Sequence, residues 1–186
     1  MDAFTVGMVV AAILVTAVAL LAHYYNSFVR MRNKMDNTWA QIDVQLKRRY
    51  DLIPNLVSVV KAVAKQEKSL FLSVAKARTA FESAQTVSTK AEADGLMDSA
   101  VKGLFAVAEA YPVMRSNESF LSLQNELAKT EGKIAFARMF YDDAVLEYNT
   151  YVESFPSNVV ATFLRFSKRD YFQADEAARP GIKVEL

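Results

Sequence analysis

Residues 117–155 decide the fold of this chain, and they read NESFLSLQNELAKTEGKIAFARMFYDDAVLEYNTYVESF. Apolar side chains recur there at alternating steps of three and four, the spacing that places side chains on one face of an α-helix. A helix of these 39 residues would be roughly 58 Å long, and it needs partner helices to cover that face. The expected buried stripe consists of Phe120, Leu123, Leu127, Ile134, Ala137, Tyr141, Val145, Tyr148, Val152 and Phe155, with Thr130 in the one polar position.

Outward from this helix, the same spacing predicts further helices on both sides. Pro54 lacks an N–H and clashes with the preceding turn, so we expect a kink or break near Asp51 to Asn55. Ser116 or Asn117 is expected to cap the long helix, and Ser157 or Asn158 the short helix after it. The remaining elements are expected to be a helix from about Asn55 to Ala84, an exposed connection from Ser83 to Asp94, a helix from about Leu96 to Tyr111 that ends at Pro112, and a helix from Val159 to Phe166.

The expected core positions outside the long helix are aliphatic or aromatic. They are Leu56, Val60, Val63, Phe71, Val74 and Phe81 in one helix, and Leu96, Leu104, Phe105, Val107 and Ala108 in the next. No stretch alternates with the period of two that indicates strands. The fold class is therefore predicted as all-α, an antiparallel bundle of about four helices. We expect an anchor at residues 1–23, a helical domain at residues 24–172, and a charged, weakly structured tail at residues 173–186.

Composition excludes several kinds of site. The chain of 186 residues has 22 basic and 21 acidic residues, so its net charge of +1 gives no electrostatic case for nucleic-acid binding. It has no cysteine and a single histidine, His23, which excludes thiol nucleophiles, thiolate metal sites and sites that need two histidines. With 5 glycines a phosphate-binding loop is not expected. We expect no cofactor, no metal and no small-molecule substrate.

The stretch from Phe4 to Ala22, FTVGMVVAAILVTAVALLA, is typical of a membrane span. Its 19 residues carry no charge, and as a helix they are roughly 28 Å long, close to the hydrocarbon thickness of a bilayer. A cleaved signal peptide is the alternative, but such peptides have a basic N-terminal region and a shorter apolar core. The residues expected to contact lipid include Phe4, Val9, Ile13, Leu14, Leu20 and Leu21.

Flanking charges predict the orientation of this span. No Lys or Arg precedes it, whereas Arg30, Arg32 and Lys34 follow it. Because basic residues are retained on the cytoplasmic side, we expect the N-terminus outside and the helical domain in the cytoplasm. His23, Tyr24, Tyr25 and Phe28 fall where an aromatic belt would meet the lipid headgroups.

Several motifs in this chain resemble the LemA family. The longest is WAQIDVQLKRRYDLIPNLV at residues 39–57, preceded by YNSFVR at residues 25–30. Further matches are EAYP at residues 109–112, LQ at 123–124, EYNT at 147–150, SFPSNVVA at 154–161, and Tyr171-Phe172. The resemblance implies a bacterial inner-membrane protein with one N-terminal span and long antiparallel helices. No enzymatic activity is established for that family, and some relatives are linked to organelle-membrane formation in magnetic bacteria.

Two regions could carry interactions. The first contains Arg48, Arg49 and Asp51 beside Pro54, and could dock a partner or an anionic lipid. The alternative is that Arg48 or Arg49 pairs with carboxylates of neighbouring helices and caps carbonyls at the break. Apolar residues also recur at helical spacing from Met35 through Leu46 to Val60. Arg49 or its neighbour falls in this stripe, so one guanidinium is expected to be partly buried and paired.

The second region is the basic and aromatic stretch from Phe155 to Phe172. It could lie on a membrane surface or in a partner's groove, or its aromatic side chains could close the end of the bundle. Its candidate interaction residues are Arg165, Phe166, Lys168, Arg169, Tyr171 and Phe172.

Two functions of different classes are compatible with the sequence. The first is a non-catalytic, membrane-anchored scaffold or adaptor that associates with itself and with other membrane proteins. The second is a membrane-surface sensing or remodelling protein that acts on anionic lipid through the basic, aromatic C-terminal stretch. A hydrolase is a third reading, and it would need a deep pocket lined by paired carboxylates, such as some of Glu109, Glu126, Glu131, Asp142 and Glu147.

Overall fold

The computed structural model describes residues 2–172, with the side chain of Arg115 excepted. Within these residues the chain is all-α, and none of them lies in a strand. The predicted all-α class is therefore confirmed for these residues, and the expected tail at residues 173–186 lies outside them. The helices are α1 (Ala3–Val63), α2 (Lys68–Ser83), α3 (Val87–Glu109), α4 (Pro112–Arg115), α5 (Glu118–Glu153) and α6 (Ser157–Leu164).

The chain divides into two compact units. Unit 1 comprises residues 1–38 and 142–169, and therefore holds the apolar N-terminal stretch, the end of α5 and α6. Unit 2 comprises residues 39–141 and the described residues 170–172. Helices α1 and α5 each contribute one part to each unit.

The predicted break at Pro54 is wrong, because α1 continues through it to Val63. The expected helix from Asn55 is thus the end of α1, and the chain turns at residues 64–67 instead. Ile53 and Leu56, on either side of the proline, are fully buried in the core of unit 2. Tertiary packing of this kind can outweigh the loss of one backbone hydrogen bond at a proline.

The expected connection from Ser83 to Asp94 is also wrong. Helix α3 begins at Val87, where Thr86 and Thr89 exchange side-chain to backbone hydrogen bonds of 3.2 and 3.0 Å as a capping box. Ala91 and Asp94 are buried, whereas Leu96, an expected core residue, is exposed. A Cβ on Gly103 would lie 2.8 Å from Leu70 Cδ1, so a larger residue there would require the Leu70 side chain to move.

Helix α5 confirms most of the predicted stripe. Asn117 caps it by accepting a hydrogen bond of 3.0 Å from the Phe120 N–H, and the buried Thr130 hydroxyl donates to the Glu126 carbonyl at 2.7 Å. Phe155 is the exception, because α5 ends at Glu153 and the Phe155 side chain is 83% exposed. Neither Ser157 nor Asn158 caps α6, whose preceding residue is Pro156.

The core of unit 2 is predominantly aliphatic, and every helix that enters this unit contributes to it. Fully buried members include Val60 on α1, Leu104 on α3 and Met114 on α4, and Val74 on α2 and Leu127 on α5 pack with them. This burial is the main favourable term for folding of the unit. This packing also fixes the helix faces that carry the polar side chains around Arg49.

Candidate functional site

The apolar N-terminal stretch is a helix long and apolar enough to cross a membrane, and none of its most apolar window is buried. Each residue predicted to contact lipid, from Phe4 to Leu21, is exposed within the described chain. A core helix of a water-soluble protein would bury such a surface. By length and composition a signal sequence would pass the same test.

The residues expected at the membrane interface have two different environments in unit 1. His23 and Tyr25 are exposed, and Arg30 donates a hydrogen bond of 3.1 Å to Ser27. Phe28 is fully buried, so its expected place in an aromatic belt is wrong. Its ring stacks on Phe166 at 4.5 Å and meets Tyr151 edge-on at 4.8 Å. The remaining members are Tyr24, near Tyr151, Arg32, which pairs with Asp36, and Lys34, which pairs with Glu147.

The polar centre of unit 2 is built around Arg49, which is only 3% exposed. Its guanidinium lies 3.1 Å from Asp94 Oδ1, 3.1 Å from Asp98 Oδ1 and 2.9 Å from Glu131 Oε2. Asp94 also accepts a hydrogen bond from Arg138. We name these five residues, Arg49, Asp94, Asp98, Glu131 and Arg138, the Arg49 cluster. The expected buried and paired guanidinium is therefore found at Arg49.

Charge and burial act in opposite directions within this cluster. Burial raises the pKa of Asp94 above its ordinary value, although the charges of Arg138 and Arg49 oppose the rise. For Asp98, burial also acts to raise the pKa, but the hydrogen bond from Lys102 and the charge of Arg49 outweigh it, so the pKa is lowered. Because guanidinium groups engage both oxygens of Asp94, this arrangement is suited to holding α1, α3 and α5 together.

The other two candidates of this region lie at the surface. Arg48 pairs with Glu126 at 2.7 Å, and both side chains are substantially exposed. Asp51 is exposed on α1. Because α1 has no break here, the expected capping of open carbonyls by these arginines is wrong. Whether Arg48 and Asp51 take part in an interaction stays a prediction.

An exposed apolar groove runs between α1 and α5 of unit 2. Val44, Phe136 and Phe140 are 62%, 65% and 54% exposed. Ala40, Gln41, Gln45, Lys133 and Ala137 complete its lining. No described residue offers a hydrogen bond to the buried Oε1 of Gln45. We name these eight residues the α1/α5 groove.

The structure divides the basic and aromatic C-terminal stretch between the two units. In unit 1, Phe166 packs on Phe28, Lys168 pairs with Glu153, and the Arg169 backbone is held by the Asn149 amide at 2.8 and 2.9 Å. Arg165 ends α6 in the left-handed conformation with φ 58°.

In unit 2, Phe172 is buried near Trp39 and under the Arg138 guanidinium, which lies 4.7 Å from its ring centre, while Tyr171 is about one third exposed. The expectation that aromatic side chains of this stretch pack inward therefore holds for Phe166 and Phe172. Phe155 and Phe163 remain exposed.

Sequence reasoning identified only Arg49 as a buried, paired member of the Arg49 cluster. It placed Asp94 in an exposed connection, named Glu131 only as a carboxylate of a possible hydrolase pocket, and missed Asp98 and Arg138. The sequence did contain a signal for Asp94 and Asp98, because they are four residues apart. Residues at this spacing lie on one face of a helix, provided that the helix begins before Asp94. The groove had a similar signal, because Phe136 and Phe140 are four residues apart and lie off the main stripe.

Comparison with known proteins identifies a family model and several curated proteins that are similar to this chain. A family model described as the LemA family matches residues 38–186. Among curated proteins, the magnetosome proteins MamQ 1 and MamQ 2 of Paramagnetospirillum magneticum are each 27% identical over 197 residues, covering 91% of this chain and 72% of the relative. The magnetosome protein MamQ of Magnetospirillum gryphiswaldense is 24% identical, covering 88% of this chain and 70% of the relative.

Proposed function

The chain belongs to the LemA family, and from that premise we propose that it is a non-enzymatic, membrane-anchored helical scaffold that associates with itself. Its helices are proposed to form an antiparallel bundle of about four, carried on one N-terminal span, with surfaces presented to other membrane proteins. The observation that carries this proposal is the α1/α5 groove, since contiguous exposed apolar surface is typical of protein interaction sites.

The chemistry of the groove favours a second copy of this chain as its occupant. A two-fold dimer brings the same surface of each copy together, so each side chain in the groove must tolerate contact with the same groove of the second copy. Apolar side chains such as Val44 and Phe136 meet this requirement, and so do the Gln41 and Gln45 amides, which both donate and accept hydrogen bonds.

A cysteine crosslinking experiment tests self-association. The chain has no natural cysteine, so every crosslink comes from the residue introduced. We expect full-length Val44→Cys in its native membrane to form a covalent dimer with a short bis-maleimide. Leu72→Cys, on an equally exposed apolar residue of α2, is the matched control and should stay monomeric.

A second substitution in the groove separates specific association from random collision. Adding Phe136→Lys to Val44→Cys should abolish the dimer, because two-fold symmetry brings buried like charges together and Lys133 in the same groove adds to the repulsion. Adding Leu121→Lys, on an exposed position of the same helix, should leave it intact. Equal crosslinking at residues 44 and 72, or persistence of the dimer with Phe136→Lys, would contradict self-association through this groove.

We propose that the chain resides in the bacterial inner membrane, with its N-terminus outside and its helical body in the cytoplasm. Arg30, Arg32 and Lys34 directly follow the apolar stretch, and no basic residue precedes it. The exposed apolar surface of that stretch supports its retention in lipid.

Labelling of single cysteines in intact spheroplasts tests the orientation. A membrane-impermeant maleimide should label Ala3→Cys from outside, and Lys65→Cys only after the membrane is opened. The reverse pattern would contradict the orientation. A mature chain that lacks residue 3 would contradict the retained anchor.

The non-enzymatic part of the proposal draws on the Arg49 cluster. Its carboxylates form ion pairs with Arg49, Arg138 and Lys102, whereas a catalytic acid needs an oxygen directed at a substrate. Among the described residues, no group of three or more acidic or histidine side chains is arranged to hold a metal.

A further inference from the structure

Helix α6 lies beside the apolar N-terminal stretch, and both belong to unit 1. A shallow apolar groove is lined by Val18, Leu21, Ala22 and Tyr25 from α1 and by Phe163 and Leu164 from α6. Ala22 is the last residue of the 19-residue uncharged stretch that is long enough to cross a bilayer. The end of α6 is therefore level with the place where the span leaves the hydrocarbon.

The outer surface of α6 exposes large apolar side chains, which is unfavourable for a helix surrounded by water. Val160 and Ala161 are buried against the rest of unit 1, whereas Val159 and Phe163, one turn apart, are exposed. Phe155, just before the helix, is exposed as well. Phe163 shares its groove with the exposed Val18 and Leu21 of the span, so at this point the apolar surface continues from one helix to the other.

Basic residues follow this surface directly. The side chains of Arg165, Lys168 and Arg169 are all exposed. Glu153 offsets the charge of Lys168, so the segment keeps a net positive charge. Asn149 fixes the backbone of Arg169 through two hydrogen bonds, which keeps the segment close to the end of α6. An apolar face with cations at its edge is the pattern of helices that lie in the membrane interface.

We propose that α6 is a second membrane contact, in which Phe155, Val159 and Phe163 insert into the bilayer beside the span while Arg165 and Arg169 face anionic lipid phosphates. The occupant of this surface is phospholipid, because the surface is continuous with the lipid-exposed face of the span and has cations at its rim. The inference does not depend on self-association through the α1/α5 groove. It gives unit 1 two lipid contacts from distant parts of the sequence.

Spin labels on single cysteines in full-length protein, reconstituted in lipid nanodiscs, test this contact. Oxygen partitions into lipid and a neutral nickel chelate into water, so the ratio of their collision rates reports the environment of each label. Phe163→Cys, with its native side chain 76% exposed, is compared with Ile13→Cys in the span and Leu72→Cys on α2, whose side chains are 62% and 63% exposed. All three labels start from comparable exposure, so only the surrounding medium differs.

We expect the oxygen-to-nickel ratio at residue 163 to be several-fold higher than at residue 72 and lower than at residue 13. A ratio equal to that of residue 72 would overturn the proposal, because the label would then be in water. Low collision rates with both reagents would also overturn it, because a protein surface would then cover α6. The self-association experiment probes residues 44 and 136 and shares only the Leu72 control, so the two proposals can fail separately.

A charge variant tests the basic edge. In nanodiscs containing one third phosphatidylglycerol, Arg165→Gln with Arg169→Gln should lower the ratio at residue 163 relative to the parent. Lys65→Gln with Lys76→Gln, two basic residues of unit 2, is the matched control and should leave it unchanged. An unchanged ratio in the charge variant would contradict the role of Arg165 and Arg169.

Discussion

The two units bury different kinds of chemistry although the same two long helices contribute to both. Unit 1 is packed with aromatic rings, with Phe28 stacked on Phe166 and edge-on to Tyr148 and Tyr151 of α5. Unit 2 has an aliphatic core and, beside it, the buried charges of the Arg49 cluster. The comparison teaches that helical periodicity fixes where a helix is buried, and that the local residue types decide what holds it there.

The aromatic packing of unit 1 and the buried charges of unit 2 suit what each unit contains. Unit 1 contains the stretch that is long and apolar enough to cross a membrane, and aromatic side chains with polar tips suit a boundary between apolar and wet surroundings. In unit 2, a guanidinium that reaches three carboxylates fixes the register of α1 against α3 and α5 more specifically than aliphatic contacts alone can.

The largest expected effect is on the aromatic core. We expect Phe28→Ala to destabilise unit 1 by about 4 kcal/mol, because a large fully buried ring leaves a cavity. Hydrogen exchange is measured on the full-length variant and parent in nanodiscs. Relative to the parent, the variant should exchange faster in the part of α5 within unit 1, with a smaller change in α3. Equal acceleration in both units would mean that they open as one, and the comparison would lose its basis.

The next effect is on the buried charges. Arg49→Ala should cost about 3 kcal/mol, because it leaves a buried carboxylate with one cation fewer. Arg48→Ala, its neighbour in the exposed pair with Glu126, should cost less than about 1 kcal/mol. Denaturant unfolding of both variants measures the difference. Similar costs at the two positions would show that burial does not set the strength of these pairs.

The smallest effect is on the dependence of stability on pH. The raised pKa of Asp94 gives a contribution that is present below its unfolded-state pKa and lost as the pH rises through the folded-state pKa. The lowered pKa of Asp98 gives the opposite: stability present above the unfolded-state pKa and lost as the pH falls through the folded-state pKa. In acid, Asp94→Asn should therefore steepen the loss of stability and Asp98→Asn should reduce it.

Unfolding midpoints of these two variants and the parent across the acid range measure the slopes, and the absolute stability of each variant does not enter. Parallel curves for all three proteins would contradict the assigned pKa directions. Ser99→Asn, which removes no titratable group from an exposed position of the same helix, is the control and should keep the parent slope.

Much of the fold could be predicted from one-dimensional patterns. The stripe of α5 and its cap at Asn117 follow from spacing and from the hydrogen-bonding capacity of Asn. The errors come from local rules that tertiary contacts override. At Pro54 the burial of Ile53 and Leu56 keeps α1 helical, and at Asp94 two arginines from other helices permit a carboxylate to be buried in a segment of polar composition.

The sequence by itself determined the all-α class, the apolar stretch, the long stripe of α5 and the need to pair one guanidinium near residue 49, because each depends on neighbours along the chain. Only the tertiary structure decided which carboxylates meet Arg49, that Phe28 lies inside, and that Phe163 faces outward. Those outcomes depend on how residues far apart in sequence share space, and periodicity alone carries no information about the partner on the other side.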